Sequence, residues 1–89
     1  MKRSVEDAKK LIEKLMPLQK KKHSFPCPRC GIYRMHVDRP SLNALSRYAN
    51  VYICDECGMD EALRDMAKNP LPLNEWAMIV GFDAAENKA

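Results

Sequence analysis

Two matched cysteine pairs, Cys27-Pro28-Arg29-Cys30-Gly31 and Cys54-Asp55-Glu56-Cys57-Gly58, are the residues of this chain with the clearest chemistry. Two residues between thiols let one tight turn present both sulfurs to a metal, and the glycine that follows can take the left-handed backbone such a turn needs. Each pair is half of a tetrahedral clamp. The spacing therefore predicts one structural Zn2+ held by Cys27, Cys30, Cys54 and Cys57. The 23 residues between Cys30 and Cys54 exceed the usual spacing of such pairs, which predicts a small insertion between the halves.

Three other uses of four cysteines compete with zinc. Two disulfides need an oxidising compartment, and the opening Met1-Lys2-Arg3-Ser4-Val5-Glu6-Asp7 has no apolar signal segment, so a cytoplasmic setting is expected. Cys27 and Cys30 have the spacing of a redox dithiol but lack the strand-helix-strand pattern that would place them at a helix start. An iron-sulfur cluster also takes four thiolates, and the sequence leaves that choice of metal open. His23 and His36 flank the first pair, but with four cysteines in register neither is needed as a ligand.

A chain of 89 residues has room for one modest core, and domains of this size commonly need a staple. Zinc would supply it, with an apparent binding free energy of roughly 10–16 kcal/mol in small fingers against about 3–5 kcal/mol from a small core. Four thiolates close the coordination sphere and leave no open position for water or substrate. The chain also lacks a nucleophile elbow, a phosphate-binding glycine loop and a catalytic carboxylate pair, so a non-enzymatic protein is predicted.

The elements that position the cysteines follow from periodicity. Val5, Ala8, Leu11, Ile12, Leu15 and Met16 recur at helical steps, predicting an amphipathic helix over 4–19 capped by Ser4, with Pro17 ending or bending it near Leu15. Residues 25–58 carry the two zinc knuckles. Ile32 to Val37 reads as a strand, Ser41 to Ala49 as a helical insertion and Val51 to Cys54 as a returning strand. Residues 59–82 read as C-terminal helices, one over Met59 to Ala67 with Asp60 as cap and one over Asn74 to Val80 stopped by Gly81, followed by a frayed tail. Trp76 is expected in the core with Leu73, Ile79 and Leu63. The fold class is α+β, a single domain over 1–89 with a small zinc-ribbon-like antiparallel sheet and flanking helices.

Charge is divided along the chain. Residues 1–50 hold 12 Lys and Arg against 4 Asp and Glu (+8), whereas residues 51–89 hold 3 against 8 (−5). Loading four thiolates with a divalent ion lowers the formal total from +3 to about +1. A local basic face can be drawn from Lys20, Lys21, Lys22, Arg29, Arg34, Arg39 and Arg47, with Tyr33 or Tyr48 to stack on a base. The plainer reading is a solvated lysine face plus arginines that balance the metal-thiolate centre. The acidic half, with Asp55, Glu56, Asp60, Glu61 and Asp65, suits a basic protein surface.

The knuckle Cys27-Pro28-Arg29-Cys30-Gly31, the run from Asn43 to Leu63 and the segment from Asn69 to Ala77 resemble small zinc-ribbon proteins carried by phages and mobile elements of Gram-positive bacteria, over about residues 25–82. Some phage-borne proteins of this kind are anti-CRISPR proteins. The resemblance implies an inhibitor that binds the RNA-guided DNA nuclease of a type II CRISPR system in the bacterial host cytoplasm. The alternative is a nucleic-acid-binding zinc ribbon acting in transcription or element maintenance.

Overall fold

The computed structural model describes residues 3–21 and 24–87. Ser4 opens the first helix, α1 (Val5–Glu13), with its hydroxyl accepting from the Asp7 N–H at 3.2 Å. Glu6 and Asp7 in the first turn suit the positive end of the helix dipole. Pro17 then divides the expected helix. Its ring would strike the carbonyl of Glu13, four residues back, so α1 ends there. The chain restarts as a single turn, α2 (Met16–Gln19), where Pro17 falls in the first turn and its missing N–H costs nothing.

Two short strands, β1 (Ala44–Leu45) and β2 (Tyr52–Ile53), pair antiparallel with Ala44 opposite Ile53 and Leu45 opposite Tyr52. On the far side of β2, the Gln19 side-chain amide donates to the Tyr52 carbonyl at 2.8 Å and accepts from the Tyr52 N–H at 2.9 Å. Helix α3 (Asp55–Met66) packs on β1, and α1 packs on a 3-10 turn at Leu73–Glu75 and on α4 (Ala77–Asn87). The resulting α+β fold pairs a two-stranded sheet with α3 on one part of the chain and packs α1, the 3-10 turn and α4 together on another. Ala8, Ile12, Val51, Ile53, Leu73, Trp76 and Ile79 are buried together with Cys27, Cys54 and Cys57, so the sulfurs lie within the same apolar cluster as the core.

Several elements differ from the sequence reading. No strand forms over Ile32–Val37, because the Asn43 side chain holds the backbone of His36 at both ends: its Oδ1 accepts from the His36 N–H at 2.7 Å and its Nδ2 donates to the His36 carbonyl at 2.9 Å. Those are the groups a strand ladder would use. The helix expected over Ser41–Ala49 is reduced to a 3-10 turn at Pro40–Leu42 followed by β1. Here Asn43 also bonds the Pro40 carbonyl and the Ser46 hydroxyl accepts from the Tyr48 N–H, side-chain bonds that displace helical ones.

Helix α3 starts at Asp55 rather than Met59, and its cap is Cys54 rather than Asp60. Helix α4 runs through Gly81 to Asn87, since nothing in the surroundings or backbone angle of Gly81 demands a stop. Its C-terminal part is tethered where Arg3 meets Asp83, through a backbone bond of 3.2 Å and an ion pair of 3.3 Å.

Trp76 is fully buried beside Leu73 and Ile79, but Leu63 faces solvent at 60% exposure and is no part of that core. The indole N–H of Trp76 is buried with no hydrogen-bond partner among the described residues. The ring's contribution is therefore apolar packing. Trp76→Ala is expected to lower stability by about 3–5 kcal/mol in denaturant titration, and Trp76→Phe to recover much of that loss because no indole bond is forfeited. Equal loss in both variants would contradict this.

Candidate metal centre

The two cysteine pairs are built differently, although their sequences match. The first is a turn. The Cys27 N–H donates to the Ile32 carbonyl at 2.9 Å, the Gly31 N–H returns to the Cys27 carbonyl at 2.7 Å, and Gly31 adopts φ +78°. That left-handed angle is the reason for glycine here. The second pair is the start of a helix. Cys54 is the N-cap of α3, its sulfur accepts from the Cys57 N–H at 3.4 Å, and Cys57 lies in the first turn. Gly58 is required by proximity rather than by its backbone angle: a Cβ there would sit 2.5 Å from the Ala44 Cβ on β1.

These two devices bring all four sulfurs within 4.8 Å of one another. Cys27 and Cys57 are 3.8 Å apart, as are Cys30 and Cys54. A disulfide would need about 2.05 Å, whereas sulfurs about 2.3 Å from a central ion at tetrahedral corners lie about 3.8 Å apart. The four cysteines are free, and the donor set fits a divalent metal. Cys27, Cys54 and Cys57 are buried and Cys30 partly so.

Backbone and side-chain donors converge on the sulfurs. The Cys54 N–H donates to the Cys27 sulfur at 3.3 Å. Burial raises the Cys27 thiol above its ordinary value and raises Cys57 more strongly. Burial also opposes ionisation of Cys54, but the Cys57 N–H and the Arg34 guanidinium outweigh it and bring that thiol down to about 7. Arg34 donates from Nε to Cys54 at 3.3 Å and from Nη2 to Cys30 at 3.6 Å, while its Nη1 pairs with Glu56 at 2.7 Å. Its own pKa is raised, chiefly by the bond to Cys54.

Arg29, only 7% exposed, pairs with Asp60 at 2.7 Å, and although burial opposes it, its pKa is raised by that bond and by the nearby Cys57 sulfur. Its bond pulls the Asp60 carboxyl below the usual carboxylate range. A four-thiolate centre with a divalent ion carries a formal charge of −2, and these two guanidiniums offset it. The knuckle also meets α4 through its backbone, where the Arg29 and Pro28 carbonyls accept from the Ala77 and Met78 N–H groups at 3.1 Å. Two donors that a helix start leaves unpaired are satisfied in this way.

His36 lies outside the sulfur cluster, with Nε2 3.0 Å from Asp55 on the exposed surface. His23 and Lys22 fall outside the described residues. The three arginines Arg29, Arg34 and Arg47 of the basic face drawn from sequence are paired with Asp60, Glu56 and Asp65. The Tyr48 hydroxyl is bonded to Asp65 at 2.8 Å, a contact that raises its pKa, whereas Tyr33 is 70% exposed. The acidic half is equally engaged. Glu61, 2% exposed, accepts from the Ser46 hydroxyl at 2.7 Å and from the Arg47 N–H at 2.9 Å.

Sequence reasoning did not single out the Arg34 fork, the buried Glu61 or Gln19. The sequence reading of arginines that balance the metal-thiolate centre anticipates the role of Arg34 but not which sulfurs it bonds, and it places Glu61 only as part of an acidic surface. No protein-family model matches the chain, and neither a curated protein nor a solved structure matches it. Among the described residues no helix is long and apolar enough to cross a membrane. Fold and site define a small α+β domain organised around four convergent cysteines.

Metal binding must displace protons from Cys27 and Cys57, whose thiols are raised, so affinity is expected to rise with pH. With at least these two protons released per ion, the apparent dissociation constant should fall at least about a hundredfold per pH unit near neutrality, as measured by chelator competition between pH 6 and 8. A flat profile would exclude the four-thiolate site. Cys54→Ser should weaken binding and lower the melting temperature together.

Proposed function

We infer that the protein is a non-enzymatic, zinc-stabilised interaction protein that acts on another protein, and that its target is the RNA-guided DNA nuclease of a type II CRISPR system in the host cytoplasm. The convergence of four cysteine sulfurs carries the first part. Zinc suits this set because four thiolates gathered within 4.8 Å, two pairs of them 3.8 Å apart, fit its preferred tetrahedral coordination, and such a centre has no open position for substrate. The likeness of the knuckles and of the segment around Trp76 to small phage-borne zinc-ribbon proteins supplies the nuclease.

The pairing of Arg29, Arg34 and Arg47 with acids favours a protein partner over nucleic acid. A groove that reads phosphates needs guanidiniums turned outward, and these three are turned toward sulfur and carboxylate. An inhibitor of this kind works by occupying the nuclease, with no bond made or broken.

In a purified cleavage assay, inhibition should be stoichiometric with nuclease, should disappear when zinc is removed by a chelator and return when it is restored, and should be unaffected by excess non-target DNA. Relief by competitor DNA would assign the protein to nucleic acid instead. Native mass spectrometry should find one zinc per chain, and an iron chromophore would overturn the choice of metal.

A further inference from the structure

An apolar groove of about 540 Å³ opens beside the metal centre. Leu15 and Leu18 of the segment around α2 form one wall, Phe25 and Pro26 continue it, and Met78 and Phe82 of α4 form the other. The floor is the outer surface of the first knuckle, at Cys27, Pro28 and Gly31. Leu18 and Phe82 are 52% and 47% exposed, so large apolar side chains stand open to water on both walls. Gln19 is the one uncharged polar side chain there, and both ends of its amide are already committed to Tyr52.

Charge along the chain segment of the first wall is of one sign. The chain segment that builds the first wall also bears Lys14, Lys20 and Lys21, all exposed and without an acidic partner among the described residues. A second apolar stripe, Met59, Leu63 and Met66, runs along the outer face of α3. Its surrounding acids are already paired, Asp55 with His36, Glu56 with Arg34, Asp60 with Arg29 and Asp65 with Arg47, so it offers no comparable charge signature.

We propose that this groove is the surface that holds the protein partner, and that it takes an amphipathic segment with apolar anchors and acidic flanks. The inference rests on the reading of the molecule as a protein-binding module. Apolar anchors fill the groove between α2 and α4, and glutamates or aspartates on the segment's edges meet Lys14, Lys20 and Lys21. Because the floor is the knuckle, the groove exists only while the four sulfurs are gathered. Metal occupancy and partner binding are thereby coupled.

The test uses the zinc-loaded protein and a synthetic helical peptide with leucines at alternating third and fourth positions and glutamates between them. Calorimetric titration and amide chemical-shift mapping should show saturable binding with shifts at Leu18, Phe25, Met78 and Phe82. Leu18→Glu and Phe82→Glu should each weaken it roughly tenfold or more, with one zinc per chain retained, whereas Met66→Glu should leave it unchanged. Replacing the peptide glutamates by lysine should weaken it similarly, and a chelator should abolish it.

Shifts confined to Met59, Leu63 and Met66, or decanoate saturating the groove where the peptide does not, would overturn the proposal. So would a dimer that Leu18→Glu dissociates. Peptide binding in the groove by a protein that fails to inhibit the nuclease would sustain the groove and remove the nuclease as target. Nuclease inhibition that survives both groove variants would sink the groove as the contact.

Discussion

Four cysteine sulfurs within 4.8 Å of one another are the constraint from which the rest of the structure follows. Ionised sulfurs at that separation repel strongly in a buried site, so the thiolate form requires positive charge at the centre. The fold supplies two sources of it around the place a divalent ion would take. Arg34 spans Cys54 and Cys30, and the buried Arg29, in the first cysteine pair, adds a second guanidinium near Cys57. The N-terminus of α3 adds oriented backbone N–H groups, one of which bonds Cys54 directly.

The same arginines join the two oppositely charged halves of the chain. Each of these guanidiniums is held by an acid from α3: Arg34 by Glu56 and Arg29 by Asp60. Arg47 pairs with Asp65 farther along the same helix, and Arg64 shares Asp60. The sequence-distant halves are thus stitched along α3. Most of these pairs are at least partly solvated, so their individual contribution to stability is small, of the order of 1 kcal/mol or less for exposed pairs. Their role is orientation of α3 and of the arginines that face the sulfurs. Among the described residues, Lys14, Lys20 and Lys21 are outside this network.

What the sequence reveals here is the chemistry, and what it conceals is the path of the backbone between chemical groups. Cysteine spacing is a local signal, and it correctly anticipates four convergent sulfurs and a small α+β fold. The matched pairs nevertheless hide the difference between a turn and a helix start, because a cysteine serving as an N-cap has no signature distinct from one in a knuckle. The stretch from Ile32 to Ala49 is misread for a similar reason. Alternation and helical spacing describe side chains, whereas the outcome depends on Asn43 capturing the backbone of His36 and on Ser46 turning to buried Glu61. Leu63 has helical spacing that would suit the inner face of α3. That inner face is instead set by Cys57 and Glu61, one turn apart, which rotates Leu63 outward.

The Gln19 amide has a consequence for how this molecule behaves in a crowded cell. A sheet of two strands has an outer margin of unpaired backbone groups, and such margins recruit strands from neighbouring chains. Gln19 presents one donor and one acceptor to Tyr52 in the manner of a third strand a single residue long. It is 2% exposed and comes from a one-turn helix that Pro17 forces to begin where it does. The proline that interrupts the first helix therefore also delivers the side chain that occupies the outer edge of β2 at Tyr52.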